Sequence, residues 1–299
     1  MSHRNKRSLV RQIQDVYDSK LAIGESKHQD KINGTASGKI YSWSTYSTYL
    51  RHANYFGAWC KEQHGCKTLD DCRPYVKEWM DSRSNLSAYT RKMEVCALGK
   101  LYGCKSEDFG VDTGHRVRAD ITRSRLDAVR DSHFSYERNS DLVDFCRSTG
   151  ARRRELSCLT GDKLIERDGQ YFVRFDVGTK GGRVREAPVI GNVDLVVRYM
   201  RSAGSELVFP HISSACDIHS FRADYCTALY KMTAREIRDI PYDRVNQGSG
   251  RLYQSDVYYC RGELKGIALD KKAMNVCSEA LGHSRNEIIS RHYVRIEEL

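Results

Sequence analysis

The stretch KLIERDGQYFVRFDVGTKGGRVREAPV, residues 163–189, decides the fold class. Residues 163–167 lead into Asp168-Gly169, a pair suited to the positive φ angles of a tight hairpin turn. Residues 170–177 alternate and are rich in aromatic side chains. A second turn at Gly181-Gly182 then precedes residues 183–189. Three strands with two short connections predict a small antiparallel sheet. Helical patterns surround it, over 140–147 upstream and over 192–201, 220–233 and 271–281 downstream. The expected class is mainly α with a small antiparallel sheet.

Upstream of that unit the chain reads as helical from residue 5 to 109. One amphipathic stripe is Leu9, Ile13 and Tyr17, and a stronger one holds Tyr46, Tyr49, Leu50, Ala53, Phe56, Trp59 and Cys60 at three and four spacing. A third, with Tyr75, Val76, Trp79 and Met80, follows the acidic first turn Thr68-Leu69-Asp70-Asp71. A fourth starts near Ser87 and carries Tyr89, Met93, Ala97 and Leu101. Residues 21–40, rich in Gly, Ser, Lys and Asp, read as a loop or flexible joint. The expected organisation is an N-terminal helical unit over 1–112, a basic linker over 113–124, and a second unit over 125–299.

Composition bounds the function classes. With 40% hydrophobic and 29% charged residues among 299, the chain has core material for two ordinary domains. No window approaches the roughly 18 apolar residues of a membrane span. The basic start, residues 1–7, is followed by no apolar stretch, which argues against a secretory signal. A formal charge of +10 suits a polyanionic partner such as nucleic acid. The 11 cysteines include no C-x-x-C pair, and Cys60, Cys66 and Cys72 match no common zinc spacing. Buried reduced thiols and a cytoplasmic location are the expectation.

Four short stretches carry chemistry. Thr149-Gly150-Ala151-Arg152-Arg153-Arg154-Glu155-Leu156 comes first, then Gly178-Thr179-Lys180-Gly181-Gly182 in the turn between two strands. His219-Ser220-Phe221-Arg222 opens a helix, and Leu281-Gly282-His283 precedes Tyr293. Taken singly, each has an ordinary reading. The arginine triplet could be a solvated face, Lys180 plain turn chemistry, His219 a helix cap, and Tyr293 one more of 18 tyrosines. Their joint occurrence, in this order, defeats those readings.

The set resembles the tyrosine recombinase and phage integrase family over about residues 120–299. The N-terminal half resembles it only in helical character and position. The resemblance implies an N-terminal helical core-binding domain and an α+β catalytic domain. Arg152 matches the first arginine, following Thr-Gly-x and standing three before the acidic Glu155 that supports it. Lys180 matches the hairpin lysine, His219 and Arg222 the histidine and second arginine, His283 the His-or-Trp position, and Tyr293 the nucleophile.

The implied activity is site-specific DNA strand exchange through a 3′-phosphotyrosine, first of all as the integrase of a mobile element. A chromosome-dimer resolvase, an inversion switch, or a non-catalytic DNA-binding protein that kept the fold are the alternatives. Arg116 and Arg118 in the linker are expected on the DNA backbone. The implied partners are double-stranded DNA, a tetramer of this chain on two sites, and accessory DNA-bending or excision factors. No cofactor or metal is required.

The residue types suit the reaction. Guanidiniums offer planar paired donors to phosphate oxygens, and a tyrosine hydroxyl needs a base or a positive site to attack. Two departures from the family pattern stand out. Residues 235–270 form an extra polar hairpin or lobe, for DNA contact or protein docking, and only Val294 to Leu299 follow Tyr293.

Overall fold

The computed structural model describes residues 7–117, 120–121, 123–124, 128–245 and 248–299. The chain forms two compact units, Met1–Asp120 and Ile121–Leu299.

In the first unit, serine and threonine set the helix starts. Helices α1 (Leu9–Asp18), α2 (Lys27–Ile32), α3 (Trp43–His64), α4 (Leu69–Cys72) and α6 (Ala88–Tyr102) follow Ser8, Ser26, Ser42, Thr68 and Ser87. Each of these side chains accepts a backbone N–H that the helix leaves unpaired. Pro74 lies in a 3₁₀ turn, Arg73–Tyr75, which divides the expected third helix into α4 and α5 (Val76–Ser82). Residues 21–40 are less loop-like than their composition suggests. Capped by Ser26, the six-residue α2 interrupts them and buries none of its side chains.

The stripes read from the sequence become the core. Ile13, Tyr17, Ala53, Phe56, Cys60, Val76, Trp79 and Met80 are buried together. The Tyr17 hydroxyl donates to the Ala97 carbonyl at 2.9 Å, so its burial leaves no unpaired polar group.

The second unit begins with α7 (Ser140–Thr149) and the short α8 (Arg153–Leu156). Strands β1 (Leu164–Arg167), β2 (Gln170–Phe175) and β3 (Arg185–Pro188) form one antiparallel sheet in the order β1-β2-β3. Arg167 pairs with Gln170 across Asp168-Gly169, both at positive φ, and Val173 pairs with Leu164 and Ala187. Helices α9 (Val193–Ala203) and α10 (Ile218–Thr233) follow. Val173, Phe175 and Ala187 pack with Phe145, Val196 and Phe221 in one buried cluster. The expected class, mainly α with a small antiparallel sheet, is the observed one.

Two hairpins separate α10 from α11 (Lys271–Ala280). The first pairs β4 (Arg244–Val245) with β5 (Leu252–Tyr253), all four residues exposed; residues 246–247 at its tip lie outside the described residues. The second pairs β6 (Val257–Tyr259) with β7 (Ala268–Asp270). Asp270 caps α11 and takes paired 2.8 Å bonds from Arg235, which fastens the base of the insertion to the end of α10. After α11 come α12 (Asn286–Ile288) and one π-helical turn, Ile289–Tyr293. No described helix is long and apolar enough to cross a membrane. All 11 cysteines are free thiols, Cys60, Cys66 and Cys72 among the buried ones.

Candidate active site

The pocket is built around two glycines that admit close approach. Gly150 ends α7 at φ +58, and a Cβ there would meet the Tyr225 ring at 2.4 Å. Gly282 sits at φ +64 beyond α11, where a Cβ would meet the Arg185 side chain at 2.9 Å. Any L side chain at either place would be strained by its backbone and blocked by its neighbour. These turns leave the Gly150 and Leu281 carbonyls facing a group of guanidiniums.

Arg152 is the N-cap of α8. Its backbone N–H donates to Glu155 at 2.8 Å, its guanidinium bonds the same carboxylate, and Nη2 reaches the Leu281 carbonyl at 2.7 Å. Arg222, fully buried on α10, donates to the carbonyls of Gly150 and Leu281. Between them lies an arginine that the motif reading did not single out. Arg185 on β3 is 4% exposed, pairs with Glu155 at 2.7 Å, and donates to the carbonyls of Ala280 and Gly150. Its guanidinium lies 4.0 Å from the centre of the Phe175 ring. Three arginines, one carboxylate and two shared carbonyls thus tie three of the four motif stretches to one another and to β3.

The electrostatics follow from burial. Desolvation pushes the Glu155 carboxyl up, but the Arg185 bond and the charges of Arg185, Arg222 and Arg152 outweigh it and hold the group at about 2. Burial and neighbouring Arg185 bring the Arg222 guanidinium down to about 10, which leaves it charged at neutral pH. Burial, then Arg222, also lowers the imidazole of His219 below its usual range. His283 falls to about 3 by the same two causes, with Arg152 and Lys180 adding to them. Both histidines are therefore neutral at neutral pH.

A pocket of about 320 Å³ brings Arg152, Lys180, His219, Arg222, His283 and Tyr293 together, with Arg123 and Arg153 also in its wall. The Tyr293 ring lies 5.3 Å from that of His219, 5.1 Å from that of His283 and 5.2 Å from the Arg222 guanidinium carbon. Two buried nitrogens in this wall, Arg222 Nε and His283 Nε2, have no hydrogen-bond partner. Most buried polar atoms are paired; the other exceptions among the described residues, Asn54 Oδ1, His64 Nε2 and Arg91 Nε, lie in the first unit. The π turn that presents Tyr293 is fixed from behind. Arg295 bonds Asp224 at 2.8 Å and Ser220 at 2.9 Å, and its backbone N–H donates to Thr227 at 3.0 Å, all on α10.

The arrangement can hold a tetrahedral or bipyramidal oxyanion beside a tyrosine hydroxyl and a neutral imidazole. Of the two linker arginines, Arg116 belongs to the first unit, exposed, with its guanidinium 5.3 Å from the Tyr89 ring centre. Arg118 lies outside the described residues.

A solved complex of the XerH site-specific recombinase with a palindromic difH substrate, captured after cleavage, aligns at TM-score 0.52 and 14% identity, over 97% of this chain and 92% of that one. The chain has the fold of that recombinase. The XerH recombinase in its pre-cleavage difH complex aligns at 0.49 and 14%, over 97% and 93%. The Tn1549 transposon integrase with transposon right end DNA aligns at 0.46 and 12%, over 95% of both chains. No family model matches the chain, and no curated protein does. The recombinase fold thus rests on shape, while the site stands on its own geometry. Arg123 and Arg185 escaped the sequence reading, and Arg153 entered it only as a neighbour of Arg152, because their partners are distant: Arg185 meets Ala280, Arg123 meets Ser214, and Arg153 meets Ser213 and Cys216.

Proposed function

We propose that this chain is a tyrosine-type site-specific recombinase that cuts and rejoins DNA through a 3′-phosphotyrosine on Tyr293. The observation that carries the reading is the single pocket that gathers Arg152, Lys180, His219, Arg222, His283 and Tyr293, with Arg222 Nε and His283 Nε2 unpaired beside the Tyr293 ring. Free nitrogens in the wall of such a pocket are available to a phosphate's oxygens.

In this reading Arg152 and Arg222 hold the non-bridging oxygens of the scissile phosphate, and His283 donates to one of them. His219 accepts the Tyr293 proton as the phenolate attacks phosphorus. The bond from phosphorus to the 5′ oxygen breaks, and Lys180, on its exposed turn, protonates that oxygen. Attack by a 5′ hydroxyl of a partner duplex reverses the step, so the bond energy is kept and no nucleotide cofactor is needed. Arg116 and Arg118 contact the DNA backbone, and four protomers on two duplexes exchange strands. Integration of a mobile element, and equally resolution or inversion, draws on that one intermediate.

A suicide duplex, nicked so that the cut strand's short end diffuses away, tests the chemistry. The expected result is a DNA adduct that survives SDS. Specific binding without adduct would instead make the chain a DNA-binding protein on a recombinase fold.

The acid limb of the reaction offers a second test. The free enzyme's His219 titrates below 6.5, so single-turnover kcat/KM for adduct formation stays level from about pH 8 to about pH 6.5 and falls only below that. In His219→Gln that limb disappears. A wild-type limb centred at pH 7 or higher would remove His219 as the base.

A further inference from the structure

Within the arginine triplet, Arg152 belongs to the guanidinium cluster around Glu155. Arg153 is engaged too, and its partners are not acidic. Its Nη1 donates to the Ser213 carbonyl at 2.9 Å and its Nη2 to that of Cys216. Arg123 meets the same segment from beside it, donating to the Ser214 carbonyl at 3.3 Å and the Cys216 carbonyl at 3.4 Å. Asp131 fixes the Arg123 fork with bonds of 3.0 and 3.1 Å. Two guanidiniums therefore collect the carbonyls of residues 213, 214 and 216.

That loop runs straight into α10. Asp217, its next residue, is the N-cap, accepting from the backbone N–H of Ser220 and, at 2.9 Å, from the hydroxyl of Ser124. His219 stands two residues beyond, its ring 5.3 Å from that of Tyr293. The place of the imidazole thus depends on where the loop sets the first turn of the helix.

Resting on the recombinase reading above, we infer that Arg153, with Arg123 beside it, is a positioning residue: by gripping the loop at 213–216 it sets His219 against Tyr293. Arginine suits the task because one planar fork spans two carbonyls, whereas an ammonium is a single point of charge. Arg153 acts through His219 and need not touch the phosphate.

A double-mutant cycle separates this role from direct phosphate contact. Adduct formation on the suicide duplex is timed for the wild type, Arg153→Ala, Arg153→Lys, His219→Ala and the Arg153→Ala/His219→Ala pair. The expected loss is about a hundredfold for Arg153→Ala and about tenfold for Arg153→Lys, the scale of a small misplacement of a reacting group. In the His219→Ala background, Arg153→Ala should change the rate by no more than about twofold. Equal losses in both backgrounds would overturn the inference.

The second readout needs no activity. The imidazole protons of His219 are titrated by NMR in the wild type and in Arg153→Ala, or in Arg153→Lys if the alanine variant folds poorly. Loosening the loop admits water, so the titration should move up toward 6.5. An unchanged titration would overturn the positioning role by itself. A wild type without adduct would sink the recombinase reading, and this titration would still decide the role of Arg153.

Discussion

Replacing Tyr293 by Phe is expected to abolish the covalent protein–DNA species and leave DNA affinity unchanged. The substitution removes one oxygen from a side chain that is 6% exposed and packed between His219, His283 and Arg222. The ring, its contacts and the π turn remain, so the folded state has little reason to change. Among the described residues lining this pocket, Tyr293 alone carries a hydroxyl, and water cannot form the adduct. Denaturing gels after incubation with the suicide duplex, together with a binding titration, check both halves. An adduct in the Phe variant would move the nucleophile elsewhere.

The largest expected effect on stability comes from Glu155→Ala. Glu155 is 1% exposed and is the carboxylate shared by Arg152 and the buried Arg185. Removing one partner of a buried ion pair strands the other, at a cost of about 3–5 kcal/mol. Glu155→Gln keeps the shape and loses the charge, and it adds a pH signature. The carboxyl is held at about 2 in the folded chain, below its ordinary 4.5. Its stabilisation is therefore complete above 4.5 and is lost as pH falls from there through about 2. Urea unfolding of the full chain should show a constant advantage of wild type over Glu155→Gln above pH 4.5, narrowing below it. An advantage that ignores pH would mean that packing, not charge, holds the network.

Local chemistry made much of this fold legible. Asp168-Gly169 announces its turn because few other pairs tolerate two positive φ angles in succession. Leu9, Ile13 and Tyr17 announce a buried face because only a helix brings that spacing to one side. The motif glycines are explained by contacts that a sequence does not display, Gly150 against Tyr225 and Gly282 against Arg185. Arg185 looked like one more basic strand residue, since the carbonyls and carboxylate that bury it come from three other parts of the chain. The same holds for Cys60, Cys66 and Cys72. Their regular spacing matched no metal pattern, and all three thiols are buried on or beside α3 and α4.

The Arg295 anchor has a consequence for what happens to a cut strand. On the proposed chemistry, a DNA 3′ end joined to Tyr293 lies two residues from side-chain bonds to Asp224 and Ser220 on α10, the helix that also carries Arg222. The broken end travels only as far as that helix does. The hydroxyl that reseals the strand therefore meets a phosphorus whose position is already set. A free hydroxyl then has to find a stationary target rather than a drifting one.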